Sequence, residues 1–422
     1  MGLRGAKRSY DYLRSAQGDT KLEIPKIISV DDHVVEPQDL WTARLPKSIA
    51  AEGPRVERVK GRFGEGARGG WMADESGEWA DIWKFGKLEM ALIPGFASAG
   101  MDLDEVGENY APLTYDQMRP GCYEQSARLS DMAANHTDGS LNFPTFPRFC
   151  GQTFHEHPDR EVALECVRVY NDWMIDEWCA GDGYGKLIPM TLIPLWNPEL
   201  AAEEVRRCAA KGSYAVAFSE NPAKLKLPSI FKGHWDPFFE ACDETGTVVN
   251  LHIGSSSTFP LTSLDAPRAV SLALTYQGSS HALADWLTCG VLEKYKNLKV
   301  ALSEGQIGWI PFLVEKLDRV WLDRPKYGNI NNLPKMPSEY IAGRIYGCVF
   351  DDTIGLELRD KIGMDQIMFE VDYPHGDSTW PNTLAVLERM ITASGVNDQE
   401  VHKFVRGNAI ECYGLDRFGV TV

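Results

Sequence analysis

A closed parallel α/β barrel, a (β/α)8 TIM barrel with a long insertion after its first strand, is the fold this sequence predicts. Three observations point to it. Short apolar runs alternate with longer helical patterns, which is the rhythm of a parallel sheet. Eight such runs occur, near residues 27–30, 141–144, 187–192, 214–219, 248–252, 298–303, 345–350 and 366–371. No Gly-rich phosphate fingerprint follows the first of them, which counts against an open dinucleotide-binding sheet.

Each run has strand chemistry. The first is Ile27-Ile28-Ser29-Val30, and later ones include Leu187-Ile188, Val248-Val249-Asn250-Leu251 and Ile367-Met368-Phe369, all rich in β-branched or large apolar residues. Helices are expected between them at 160–178, 198–210, 235–245, 281–295, 310–321, 356–361, 383–392 and 398–406. Asn197 ahead of Pro198 and Asn397 ahead of Asp398 stand where N-caps are needed. One stretch breaks the rhythm. Residues 42–130 carry many Gly, together with Trp71, Trp79 and Trp83, and show little periodicity. A segment of that length in a compact domain is expected to form a lid or an oligomer contact. The remainder reads as a single domain over 1–422, with no internal repeat.

The chain has 422 residues, 44% hydrophobic and 24% charged, enough for a large core. Its formal charge of −17 argues against nucleic acid and gives no reason to expect an anionic membrane surface. The nine cysteines are scattered and form no C-x-x-C pair, so neither a disulfide framework nor a structural zinc site is expected. Arg4, Lys7, Arg8 and Arg14 make the first residues basic and polar, unlike a signal peptide, and no apolar run approaches a membrane span. A cytoplasmic location, a small-molecule substrate and a homo-oligomer are the expectations.

The chemistry sits at the strand ends. Asp31-x-His33, Asn250-Leu251-His252 and Glu370-Val371-Asp372 each close an apolar run. In a parallel barrel these ends converge on one mouth, so residues hundreds of positions apart meet around one ion. Asp31 and His33 point the same way because side chains in a strand alternate. Two carboxylates and two imidazoles suit a divalent metal ion, zinc, or iron, manganese or cobalt. His281, behind Gly278-Ser279-Ser280, and His375, three residues after Asp372, are candidates for substrate binding or acid/base work. His155-Glu156-His157 reads as a solvated segment. His136, His234 and His402 read as structural. Arg55, Arg58, Lys60, Arg62 and Arg68 read as a solvated basic face, with anchorage of an anionic substrate tail as the alternative.

With these motifs together the chain resembles the amidohydrolase superfamily, in the branch that includes aminocarboxymuconate-semialdehyde decarboxylase and resorcylate decarboxylases. The carriers are Asp31-Asp32-His33-Val34-Val35-Glu36-Pro37, His234-Trp235-Asp236-Pro237, Asn250-Leu251-His252-Ile253-Gly254, Ser303-Glu304-Gly305-Gln306 with Ile307-Gly308-Trp309-Ile310-Pro311, and Asp372-Tyr373-Pro374-His375. The resemblance implies a distorted barrel with metal held by Asp31, His33, His252 and Asp372. Its sixth strand typically ends in His-Gly-Gly, where this chain has Glu304-Gly305-Gln306. Glu304 is accordingly either a general base or a further ligand, and the number of ions is one or two. On that departure the leading expectation is a hydrolase. A metal-activated water attacks an amide, ester, thioester or related carbonyl, Asp372 or Glu304 takes the proton, and His281 or His375 steadies the oxyanion. The alternative is a metal-dependent non-oxidative decarboxylase of an aromatic or dienoic acid. A non-catalytic binding protein on a barrel scaffold is a third reading.

Overall fold

The computed structural model describes residues 23–64, 70–102, 111–323, 330 and 333–421. Arg4, Lys7, Arg8, Arg14 and Arg68 lie outside them. The first strand, β1 (Ile27–Val34), is fully buried along its length and runs four residues beyond the apolar core that announces it. The insertion follows, and here the expectation of an irregular segment is corrected. It forms a four-stranded antiparallel sheet in the order β3-β2-β4-β5, from β2 (Arg55–Phe63), β3 (Trp71–Ala73), β4 (Glu78–Phe85) and β5 (Leu88–Ala91). Its strands hide from a periodicity search because few faces are cleanly apolar. In β2 only Gly61 is buried.

The barrel resumes with β6 (Thr137–Pro144), β7 (Leu187–Thr191), β8 (Ala215–Ser219), β9 (Val248–His252), β10 (Val300–Ser303), β11 (Ile345–Val349) and β12 (Ile367–Phe369). These seven and β1 form one eight-stranded sheet in chain order, every neighbouring pair parallel. All eight expected strands are present. Between β12 and β1 the closure is made past the end of the short last strand. Asp372 N donates to Asp31 O at 2.8 Å and His33 N donates to Tyr373 O at 2.6 Å. The closing hydrogen bonds thus run through residues singled out for chemistry.

The helices match in place and shift at their ends. Pro198–Ala210 starts on Asn197, whose side chain accepts from Leu200 N, and Asp398–His402 starts on Asn397, capping Gln399 N and Glu400 N. Expected helices 160–178 and 398–406 each end in a π-helical turn, Met174–Trp178 and Lys403–Gly407. The helix expected at 281–295 begins earlier, as Tyr276–Thr288.

The insertion is tied to the barrel by aromatic packing. Trp83 is completely buried, stacks on Phe146 at 4.8 Å and meets Trp41 edge-on at 5.3 Å. Trp71 packs against Phe63, whereas Trp79 is 54% exposed. The basic residues there are mostly paired, Arg58 with Asp81 and Asp116, Arg62 with Asp74 and Arg55 with Glu57. Eight of the nine cysteines are buried, and all are free thiols. Among the described residues no helix is long and apolar enough to cross a membrane.

Candidate metal centre and active site

Asp31 and His33 come from the mouth end of β1, His252 from the last residue of β9, and Asp372 from just after β12. The fold brings all four together, each 1% exposed or less. His33 Nε2 lies 3.1 Å from His252 Nε2, 3.5 Å from Asp31 Oδ1 and 3.4 Å from Asp372 Oδ1. His252 Nε2 lies 3.4 Å from the other oxygen of Asp31. His252 Nδ1 is 2.6 Å from the Ile253 carbonyl, and by donating there it turns a lone pair on Nε2 towards Asp31. Burial drives both imidazoles to the neutral form, holding His33 well below the usual histidine range and His252 at about 3.

This cluster fits a metal ion. Neither oxygen of Asp31 nor of Asp372 accepts a hydrogen bond, although all four atoms are buried. An unsatisfied buried polar group costs about 1–3 kcal/mol, so four of them in contact with two neutral imidazoles make poor structural glue. Asp31, His33 and His252 offer ligand atoms within 4.8 Å of one another, as do His33, Asp372 and His375, and the N/O set suits zinc, manganese or iron.

Glu304 and His375 stand beside it. The ligand atoms of Glu304, Asp372, His375 and Asp377 all lie within 4.8 Å of one another. His375 Nδ1 is 3.0 Å from Asp372 Oδ1, and its ring stacks on His33 at 3.7 Å. Glu304 Oε2 is 3.6 Å from His252 Nε2. Both carboxyls are held up by the backbone in an unusual way. Glu304 has φ +54° and Asp372 φ +61°, a left-handed conformation that side chains other than Gly rarely adopt and that costs about 1–3 kcal/mol each. Burial, then the charge of Asp372, pushes the Glu304 carboxyl well above the usual range. Two neighbouring carboxyls cannot both ionise in a dry site. Burial, then the charge of Asp377, pushes the Asp372 carboxyl well above the usual range too, while its contact with Glu304 works the other way, lowering Asp372 and raising Glu304.

His281 does not join the site. It lies on the exposed face of Tyr276–Thr288, near Asp285, because the helix starts five residues before it and turns the ring outward. His155 faces the Leu225 carbonyl on a short helix, away from the cluster.

Sequence reasoning misses three supports. Asp32 faces the opposite side of β1 and accepts from Ser29 Oγ at 3.0 Å, Tyr373 N at 3.0 Å and Ser140 Oγ. It thereby locks β1, β6 and the Asp372 turn together, even though burial raises its pKa to about 6. Glu36 accepts from Thr145 N and Phe146 N and fixes the end of β6. Arg128, fully buried, donates to the carbonyls of Gly121 and His33 and to Asn142 Oδ1, and lies 4.4 Å over the Tyr373 ring. A lone Arg in a helical pattern carries no sequence signal for this. Arg128→Met is expected to leave three buried oxygens unpaired and lower stability by about 3–5 kcal/mol, readable in urea denaturation.

The cluster opens into a cavity of about 590 Å³, lined by Glu304, His375 and Asp377 at one side and by Phe149, Tyr276, Trp309 and Phe350 among others. Phe149 stacks on His252 at 4.1 Å. Ile93 and Phe96 of the insertion complete the wall, while Trp71, Trp79 and Trp83 take no part in it.

Residues 78–415 match the family model described as Amidohydrolase. The chain belongs to the amidohydrolase family. The match makes it an enzyme of the amidohydrolase superfamily, and the cluster above lies at the ends of its barrel strands β1, β9 and β12. It is 23% identical over 359 residues to a gamma-resorcylate decarboxylase of Rhodococcus jostii (strain RHA1), covering 78% of this chain and 99% of the relative. Among solved structures it is similar to an amidohydrolase from Mycobacterium avium subsp. paratuberculosis K-10, with a TM-score of 0.66 and 22% identity over 92% of this chain and 99% of the other. It is also similar to 5-carboxyvanillate decarboxylase from Novosphingobium aromaticivorans DSM 12444, complexed with manganese and 4-hydroxy-3-methoxy-5-nitrobenzoic acid. That likeness has a TM-score of 0.55 and 19% identity, over 68% of this chain and 79% of the other. At these identities the structural likenesses show the fold.

Proposed function

We propose that this protein is a metal-dependent, non-oxidative decarboxylase of an aromatic acid, which reverses the order of the two readings drawn from the sequence. The observation that carries it is the Glu304 carboxyl, which stands both beside the candidate metal cluster and on the wall of a cavity lined by aromatic rings. The 23% relative that spans most of the chain, and whose name is that of a decarboxylase, supports the same reading.

Asp31, His33, His252 and Asp372 would hold the ion. A divalent cation held there would supply positive charge to the substrate carboxylate. The chain's own residues do the rest. The aromatic walls hold the ring and exclude water. Glu304 gives its proton to the ring carbon that bears the carboxylate, the C–C bond breaks with its electrons returning to the ring, and carbon dioxide leaves. Asp372 faces His375 Nδ1 and orients its ring. His375 and Asp377, both on the cavity wall, connect Glu304 to solvent for reprotonation.

The experiment is release of carbon dioxide from ortho-hydroxybenzoic acids by manganese-loaded protein, with the product's new C–H bond taking deuterium from heavy water. Hydrolysis stays the second reading because the Glu304 carboxyl lies 3.6 Å from His252, where an ionised form would act as a base. Incorporation of oxygen-18 from water into product without carbon dioxide release would decide for it.

Metal content gives a separate check. Protein purified without chelator is expected to carry a divalent cation and His252→Ala to lose it. A cation at a hundred times its Kd should add about 2.7 kcal/mol to stability. A wild-type melt unchanged by chelator would reject the site.

A further inference from the structure

The cavity is much larger than one substituted benzoic acid, and its excess has a definite chemistry. Its volume of about 590 Å³ falls within the roughly 300–1,000 Å³ of pockets that hold drug-sized molecules. The inner part, beside Glu304, His375 and Phe149, takes the reacting ring. Large apolar side chains line the rest in part, with Tyr276 and Trp309 as a stacked pair of rings at 6.4 Å and 28° facing the same space as Phe259 and Leu272. Phe259 is 53% exposed and Leu272 51%, so large apolar side chains line this outer part with half their surface left to water. Apolar surface of that kind, continuous with a reaction site, marks a binding groove. Polar groups share the lining, Arg268, Thr275, Asp351 and Asp352 among them, and Gln306 there is held at φ +52° with its side-chain Oε1 buried and without a partner.

We infer that the substrate is an extended aryl acid, whose reacting ring carries a second ring or a chain of similar size that lodges against Tyr276, Trp309, Phe259 and Leu272, with a hydrogen-bond donor facing Gln306. The inference rests on the reading of the inner site as the place where an aryl carboxylate is held, and it adds the class of molecule attached to it. The groove is built by segments that follow β9 and β10. It is therefore a property of this chain's loops, while the ion-holding cluster is a property of its strand ends.

The test is calorimetric and needs no turnover. Manganese-loaded protein is titrated with 2-hydroxybenzoate and with 4-phenyl-2-hydroxybenzoate. Burial of the second ring is expected to tighten binding about tenfold or more. Ala273→Trp, which fills the outer groove away from the cluster, should abolish that gain and leave the one-ring acid unchanged. Leu272→Ala, which opens the outer wall instead, should reduce the gain several-fold, again with the one-ring acid unchanged. Equal affinity of the two acids for the wild type overturns the inference, as does equal weakening of both acids in folded variants. The two proposals fail separately. Carbon dioxide release from the one-ring acid with no gain from the second ring keeps the decarboxylase and rejects the extended substrate. A clear gain with no carbon dioxide released does the reverse.

Discussion

Asp372→Asn is expected to remove at least about 10³-fold of turnover while the protein still folds. The side chain is fully buried and lies 3.4 Å from His33 Nε2 and 3.0 Å from His375 Nδ1. Asparagine keeps the shape and removes the charge. It therefore withdraws one of the four ion-holding groups and leaves Glu304 without the neighbouring charge that keeps its proton in place. Loss of a positioned acid/base group alone costs about 10²–10⁴-fold, and weaker ion binding adds to it. The measurements are kcat, metal content and the far-ultraviolet spectrum on one preparation. Near-normal turnover in a folded variant would sink the assignment of Asp372.

Glu304→Gln should behave differently. Its carboxyl lines the cavity, and its role is to hold and deliver a proton, so kcat should fall by about 10²–10⁴-fold with the metal content unchanged. The amide keeps a donor facing Asp372, which preserves the left-handed turn at φ +54° and the backbone bond from Glu304 N to Glu370 Oε2 at 3.2 Å. The two variants separate the roles. Asparagine at 372 loses ion and rate together, glutamine at 304 loses rate alone. A Glu304→Gln protein that also loses its ion would make Glu304 a ligand, and would favour the hydrolytic reading with a second cation.

Much of this is legible in the linear pattern of residues. Eight strands in order, two Asn caps and the four groups at strand ends follow from local rules. Side-chain alternation in a strand has a fixed period, and a parallel barrel gathers its strand ends at one mouth. The insertion is less legible because its strands lie on a sheet with few buried faces, so no period stands out in β2 or β3. His281 is misplaced by sequence reasoning for a related reason. A helix that begins at Tyr276 instead of 281 turns the ring to solvent, and helix starts without a side-chain cap leave no clear mark in sequence.

The sequence by itself determined which chemical groups the mouth of the barrel holds, since those depend on residue type and strand position. Only the tertiary structure decided what state they are in. The upward push on the Glu304 carboxyl comes from burial and then from Asp372, 68 positions away. The backbone of His33 is held by Arg128, and Asp32 ties its strand to the turn after Asp372. Charge state and preorganisation are set by through-space contact in a low-dielectric interior, and a linear pattern carries neither distance nor solvent.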